Sequence, residues 1–373
     1  HAAGYRVGRT DTDGIVVDGE LVEEGDWAGF GGARRVLSDP RVDVAVLETS
    51  RGGILRRGVG FDMCDVSVIT NVSSDHLGEL GVNTLEELAH VKGVIALSTR
   101  HDGRAVLNAD DPHIAGLAPY IAAPILWFTR HPEEPRVAQH LAAGGDAVWS
   151  DGTAIHTAFA GTRGEFPLAG IPIVVGGAAV HNVENVLAAT GACVALGVDV
   201  ETVAAALRSF APSERDNYGR LNMFQAHGIT VILDYAHNEA ALSSLLHVGA
   251  ELRAGDNARL IVMLGGPGAR PGRQIIAQGR LAAKITDLLL LHDPERYRRG
   301  REPGETPTLY RQGALDAGLP ADRILDFADE VQALHHALGL ARAGDVIVAT
   351  AHAQREELIA TLHRWEEQEA QGE

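Results

Sequence analysis

Short apolar runs rich in valine, isoleucine and leucine recur along the chain, and stretches of helical spacing separate them. Val42–Glu48 and Val66–Thr70 predict buried strands that end in polar residues. Thr84–Leu97 predicts a helix, with Thr84 and Glu87 spaced as a capping box. Ala105–Leu107 and Ile125–Phe128 predict further short strands. From Ala147 to Val175 the pattern alternates around a Ser-Asp-Gly turn at 150–152, which predicts hairpins in a small antiparallel patch. Asn185–Leu196 returns to helix. The polar stretch Ala211–Gly219, with its proline and glycine, marks a boundary. Beyond it the rhythm restarts, with strands expected at Ile229–Asp234, Leu260–Leu264, Asp287–Leu291, Ile324–Phe327 and Val346–Thr350. Helices are expected between them, including Arg273–Ile285 and Ala328–Ala341. His1–Gly4 reads as the last turn of a helix with Gly4 at its C-cap, and Arg364–Glu373 as a solvated charged end. Alternating strands and helices predict an α/β fold with parallel sheets, in two domains at about 1–212 and 213–373.

Composition narrows the picture. Apolar residues make up 45% and charged residues 22% of the 373, as in an ordinary globular enzyme. No apolar run approaches the length of a membrane span, and no signal-peptide pattern opens the sequence, so a membrane role is not expected. The two cysteines, Cys64 and Cys193, supply neither a disulfide framework nor a zinc ribbon, which fits a reducing cytoplasm. Fifty acids against 32 bases give a net charge of −18, which argues against nonspecific nucleic-acid or anionic-lipid binding. Only Lys92 and Lys284 among the bases are lysines, so Lys92 stands out.

In open α/β sheets ligands gather beyond the carboxyl ends of the strands. There the sequence places Glu48, Thr70-Asn71 leading to Asp75-His76, Asn108-Ala-Asp110-Asp111, and Asp234-Tyr-Ala-His237-Asn238. One polar residue at a strand end is usually a helix cap. Four such clusters point to a site. Glu48 with His76 is a candidate pair for a divalent ion beside a phosphate; the alternative for His76 is a hydrogen-bonded core histidine.

The order of several motifs resembles the Mur ligase superfamily, and within it the cyanophycin-synthetase-like branch. They are Thr10-Asp-Thr12-Asp-Gly-Ile, Leu47-Glu48-x-x-Arg51-Gly-Gly-Ile-Leu-Arg56, Thr70-Asn71-x-x-x-Asp75-His76-Leu-Gly and Asn108-Ala-Asp-Asp111. His181-Asn182-x-x-Asn185, Gly219-Arg220-x-Asn222, Asp234-Tyr-Ala-His237-Asn238 and Arg299-Gly-Arg301-x-x-Gly304-Glu305 follow in order. The resemblance implies a Mur ligase central ATPase-type parallel-sheet domain followed by a Rossmann-like C-terminal domain. It implies an ATP-dependent amide ligase that joins an amino acid to an amino-acid or peptide carboxylate through an acyl phosphate, with ATP and Mg2+ as cofactors. Carried over residue by residue, Glu48 and His76 match metal-site positions, with His76 also close to the chemistry. Lys92 matches the lysine many of these ligases carry as a carbamate, an oxygen donor suited to a hard metal. Asn71, His181, Asn185, Arg220, Asp234 and His237 match ATP-contacting positions, and Thr10, Thr12, Arg299 and Arg301 substrate-binding ones. The resemblance also leaves room for an ATP-grasp domain upstream in the same polypeptide and for a homo-oligomer.

The sequence departs from the pattern at several points. The Gly-Thr-Asn-Gly-Lys-Thr-type phosphate loop is expected upstream of His1, and Gly265-Gly-Pro-Gly268 lacks the lysine to replace it. Tyr218 and Glu239 stand where prolines are usual, and Gly268-Ala-Arg-Pro-Gly272 replaces a Gly-Asp-Arg-Arg-Asp stretch. Two alternatives remain open: a murein peptide ligase or folylpolyglutamate synthase type of the same superfamily, and a non-catalytic binding protein on this scaffold.

Overall fold

The computed structural model describes residues 1–73, 77–78, 80–255 and 257–372, the last two as backbone. It forms two compact units, one of residues 1–171 and 181–209, the other of residues 172–180 and 210–373.

The first unit opens with β1 (Val7–Thr10), β2 (Gly14–Val17) and β3 (Glu20–Glu24), followed by α1 (Phe30–Leu37), β4 (Val44–Leu47) and α2 (Arg51–Arg57). These strands form a sheet in the order β3-β2-β1-β4, with β1 and β4 parallel and the rest antiparallel. Next come β5 (Cys64–Ile69), α3 (Leu85–Leu97), β6 (Thr99–Asn108), α4 (Pro112–Ala115), β7 (Ile125–Thr129), α5 (Pro135–Ala142) and β8 (Asp146–Ser150). The unit ends with β9 (Ala154–Phe159), β10 (Thr162–Pro167), α6 (Val180–Ala195) and α7 (Val200–Ser209). A six-stranded sheet runs β10-β9-β8-β7-β6-β5, parallel from β5 to β8 and antiparallel from β8 to β10. The Ser-Asp-Gly turn joins β8 to β9, so the expected hairpins are present, but they stop at Pro167. Residues 172–177 instead form a tight helical turn with Val175 in the left-handed region, φ 50°.

Helix α3 starts at the expected capping box: Glu87 N–H donates to Thr84 Oγ1, and the Glu87 carboxylate accepts the Thr84 N–H. Helix α6 begins earlier than its sequence pattern. Asn182, Val183, Val186 and Leu187 are all buried, so the inward face already includes the polar Asn182. The first four residues form a turn closed by Gly4 N–H to the His1 carbonyl, 2.8 Å.

In the second unit, β11 (Asn222–Ala226), β12 (Ile229–Asp234), α8 (Glu239–Glu251), β13 (Leu260–Leu264), α9 (Gly272–Ala283) and β14 (Leu288–His292) come first. They are followed by α10 (Glu305–Asp316), β15 (Ile324–Phe327), α11 (Glu330–Leu340), β16 (Val346–Thr350) and α12 (Arg355–Gly372). The sheet order is β11-β12-β16-β13-β14-β15, all parallel except the edge strand β11. β13 and β16 are buried at every position because helices cover both faces of a parallel sheet. α9 and α10 meet backbone to backbone at Gly279 and Gly313. A Cβ at Gly313 would lie 1.9 Å from the Ile276 carbonyl oxygen, and one at Gly279 would lie 2.1 Å from that of Tyr310.

The C-terminal residues are docked, not free. Trp365 is buried in the core, and Glu366 and Glu369 accept the backbone N–H groups of Gln225 and His227. No helix among the described residues is long and apolar enough to cross a membrane.

Candidate functional site

In the first unit, the β1–β2 turn is shaped by Asp11, whose Oδ1 accepts the N–H groups of Asp13 and Gly14. This sends Thr10 inward and leaves Thr12 exposed. The Thr10 side chain is buried, and its hydroxyl has no hydrogen-bond partner among the described residues. Glu48 follows β4. Its N–H donates to the Thr10 carbonyl at 3.0 Å, and the residue is exposed.

Asn71 follows β5, and the half-buried Lys92 reaches it from α3, donating from Nζ to the Asn71 carbonyl at 3.0 Å. Two candidates 21 positions apart are thereby brought together. Asp75 and His76 lie outside the described residues.

The Asn108–Asp111 cluster is a scaffold. Asn108 Nδ2 donates to the Thr70 carbonyl, and its Oδ1 accepts the Asp110 N–H. Asp111 takes the Val72 N–H on one oxygen and caps α4 through His113 and Ile114 on the other. Asp110 holds Thr129 and the Arg130 N–H. These bonds pin the Thr70–Val72 segment to the ends of β6 and β7. Asn71, Asn108, Asp110, Arg130 and Glu184 surround a cleft of about 690 Å3. Arg130 Nε pairs with Glu184 on α6 at 2.8 Å. On the same helix, Asn185 is exposed and donates from Nδ2 to Asn182 Oδ1 at 3.2 Å. His181 is desolvated, which lowers its pKa and holds the ring neutral, and its Nδ1 has no partner among the described residues.

A second cleft of the same unit, about 310 Å3, was missed by sequence reasoning. Trp27, the backbone of Gly29–Gly32, Gly52, Gly53 and the exposed arginines Arg56 and Arg57 line it. Gly29 sits at φ 154° and faces Gly53, so bare backbone forms its floor. The Arg51-Gly-Gly-Ile-Leu-Arg56 stretch, with glycines on a helix start, was the available signal.

In the second unit, Asp234 ends β12 and is fully engaged. One oxygen accepts the Leu221 N–H at 2.7 Å and the other the Ala236 N–H at 2.6 Å. Burial pushes its pKa up, against the pull of Arg220 and His237. Arg220 lies over the Tyr235 ring, 5.7 Å from its centre. His237 is held by its carbonyl, which accepts from Gln278 Nε2, and Gln278 Oε1 in turn accepts from the buried Tyr310 hydroxyl. The two candidate arginines of the 299–301 motif separate. Arg299 is exposed, in the left-handed region at φ 49°, with its guanidinium over Tyr297. Arg301 is a loop staple: it donates to the Gly268 and Arg270 carbonyls and pairs with Glu305.

Sequence reasoning also missed two buried histidines at the carboxyl ends of β14 and β16. His292 and His352 have no hydrogen-bond partner on any ring nitrogen among the described residues. Burial lowers their pKa to about 4 and about 3 respectively. Beneath them Glu330, fully buried, accepts the N–H groups of His352, Ala353 and Gln354. Nothing in the local sequence marks these residues, because the strands that bring them together are far apart in the chain. Among the described residues, no three His, Cys, Asp or Glu side chains converge as a metal site.

Comparison with known proteins gives the frame for these sites. The Mur ligase middle domain matches residues 33–193, and the Mur ligase glutamate ligase domain matches residues 219–353. Cyanophycin synthetase of Crocosphaera subtropica is 37% identical over 350 residues, which is 92% of this chain and 39% of that protein. The chain thus spans about two fifths of the length of the curated relatives it matches. Among solved structures, E. coli FolC in complex with DHPP and ADP superposes with a TM-score of 0.68 at 19% identity, covering 97% of this chain and 83% of that one. A bifunctional folylpolyglutamate synthase/dihydrofolate synthase from Yersinia pestis, complexed with AMPPNP and Mn, gives 0.66 at 19% identity with the same coverage. With a middle and a glutamate ligase domain in order, the chain belongs to the Mur ligase family.

Proposed function

We propose that this chain is the nucleotide- and amino-acid-handling part of an ATP-dependent amide ligase of the cyanophycin-synthetase type. A substrate carboxylate attacks the γ-phosphorus of ATP to give an acyl phosphate and ADP. An incoming amine then attacks the acyl carbon, loses its proton and expels phosphate. The observation that carries this reading is the meeting of Lys92 with Asn71 at the end of β5, beside the cleft edged by Glu184 of the His181–Asn185 helix turn. Asn71, His181 and Asn185 are the nucleotide-contacting candidates of the first unit, and Arg220, Asp234 and His237 are those of the second. The glycine-floored cleft with Arg56 and Arg57 suits the carboxylate-bearing acceptor. Thr10, behind it, touches Gly32. Arg299 would address the incoming amino acid, while Arg301 holds the loop that presents it.

The residues fit a Mg2+ ion. Such an ion takes one or two protein carboxylates and completes its shell with phosphate and water, so the exposed Glu48 at a strand end is a suitable donor without a three-residue cluster. When bound, it would neutralise charge on the phosphates and the incoming carboxylate. Lys92 as a carbamate would keep one N–H able to donate to the Asn71 carbonyl and would add oxygen donors of the kind a hard ion takes.

The test uses a longer polypeptide that carries the Gly-Lys-Thr loop. It is expected to release phosphate only when both amino-acid substrates are present, and to form an amide product. Lys92→Arg should abolish this, because a guanidinium cannot supply carbamate oxygens. Wild-type activity in Lys92→Arg would remove the carbamate, and absence of any amide product would remove the ligase. The 373-residue chain alone, whose sequence holds no such loop, is expected to turn over no ATP.

A further inference from the structure

A continuous run of hydrogen bonds links the two walls of the larger cleft of the first unit. It starts at the carbonyl of Thr70, the residue before Asn71, which accepts from Asn108 Nδ2 at 2.8 Å. Asn108 Oδ1 accepts the Asp110 N–H at 2.9 Å, and Asp110 Oδ2 accepts the Arg130 N–H at 2.9 Å. Arg130, directly after β7, ends the run by donating from Nε to Glu184 Oε1 on α6 at 2.8 Å. On the other side of Asn71, the Val72 N–H donates to Asp111 Oδ2 at 2.7 Å. The wall that carries Asn71 is thus joined to the wall that carries Glu184.

The first links tie together the ends of β5, β6 and β7, which are neighbours in one sheet. The last link reaches the helix of His181 and Asn185. Glu184 lies three residues after His181 and one before Asn185, so it shares a helix face with the first and is adjacent to the second. The pair is largely withdrawn from water, with side-chain exposures of 30% for Arg130 and 23% for Glu184. A charge-assisted contact in such a place holds its geometry better than a fully exposed ion pair. Arg130 is also fixed from behind. Asp110, which takes its N–H, accepts from the Thr129 hydroxyl, and that hydroxyl oxygen accepts the His131 N–H at 2.9 Å. The side chain therefore leaves a backbone that is already ordered, which lowers the entropy cost of the contact. Neither residue belongs to the motifs that carry the family resemblance: Glu184 fills an open position within His181-Asn182-x-x-Asn185, and Arg130 lies outside them all.

We propose that Arg130 and Glu184 are positioning residues whose pairing sets the distance between Asn71 on the sheet and the His181–Asn185 turn of α6, a role that rests on the ligase reading for the presence of a nucleotide. The part of the nucleotide positioned in this way is the base with its ribose. Asp110, Asp111, Glu134 and Glu184 line the cleft, and their carboxylates oppose phosphate there.

The experiment is calorimetric titration of the 373-residue chain with adenosine, AMP and ATP, at a temperature where circular dichroism shows each variant folded. Arg130→Met and Glu184→Leu are each expected to weaken all three ligands about fivefold and by the same factor, because the base end is common to them. The double variant should be no weaker than either single one, because the same pair is lost. The exchanged pair, Arg130→Glu with Glu184→Arg, should return affinity to within about twofold of wild type. A direct contact with the nucleotide would not return, since the charges have changed walls. If Arg130→Met binds all three ligands like wild type, the positioning role is wrong and the nucleotide reading stands. If affinity falls and the exchanged pair does not restore it, Arg130 touches the nucleotide itself and the positioning role is overturned. If wild type binds none of the three, the nucleotide reading falls and the positioning role with it. Should Arg130→Met fail to fold, wild-type affinity in a folded Glu184→Leu overturns the role. Should the exchanged pair fail to fold, Arg130→Lys, which keeps a cation for Glu184, is expected between wild type and Arg130→Met, and affinity no better than that of Arg130→Met overturns the role.

Discussion

The two buried histidines predict that the second unit is sensitive to mild acid. His292 and His352 are held neutral by burial, with pKa values of about 4 and about 3 against about 6.5 for a free side chain. In the unfolded chain both take up a proton as pH falls through 6.5, while in the folded chain they do not. The unfolded state therefore binds more protons between pH 6.5 and about 4, and stability falls as pH drops through that window. Each histidine contributes about 1.4 kcal/mol per pH unit, or about 2 kcal/mol between pH 6.5 and pH 5. Asp234, whose pKa burial raises, opposes this in part by binding a proton in the folded state first. Asp345, held low by Arg259, acts at lower pH. The assay is urea unfolding at pH 7.5, 6.0 and 5.0. Trp365, in the core of this unit, reports on it once Trp27, Trp127 and Trp149 are replaced by Phe. His292→Leu should fall about half as steeply with pH as wild type. The reasoning is refuted if wild type is equally stable at pH 7.5 and 5.0, or if His292→Leu falls as steeply.

Three further outcomes are expected. Glu330→Gln leaves a single acceptor oxygen for the N–H groups of His352, Ala353 and Gln354, and should destabilise the second unit by about 2–3 kcal/mol in the same urea titration at pH 7.5. Gly313→Ala forces α9 and α10 apart at the Ile276 carbonyl and should lower stability by about 3 kcal/mol; calorimetry showing an unchanged Tm would contradict the contact. Thr84→Ala removes the capping box of α3 at about 1 kcal/mol, and hydrogen exchange should quicken at its first turn while the core of β6 stays protected.

The parts of this fold legible in the sequence were those written in local chemistry. The Thr84–Glu87 box gave the start of α3, and the uninterrupted apolar runs at 260–264 and 346–349 gave two central strands, because burial on both faces leaves no polar alternation. The first sixty residues were far less legible. β3 is exposed along its whole length, and α1 starts on glycines without a side-chain cap, so neither shows the usual signal. The close approach of Gly279 and Gly313 is a pairing between helices that no local pattern records. For the candidate sites, strand-end polarity pointed to Glu48, Asn71 and Asp234, but not to what their neighbours do. The Asn108–Asp111 cluster looked like chemistry and serves mostly as backbone bracing. Arg130, Glu330 and the buried histidines owe their importance to distant elements and were invisible.

The C-terminal helix also acts as a guard on the sheet. β11 is one of the two edge strands of the second unit's sheet, and an edge offers unpaired N–H groups to any extended chain nearby. Glu366 and Glu369 occupy two such donors, on Gln225 and His227, with carboxylates that a foreign strand would have to displace. Trimming the chain before Trp365 would therefore do more than remove a solvated tail. It would uncover a template for intermolecular strand pairing, so a truncated chain should self-associate through the Asn222–Ala226 edge even where its core still folds.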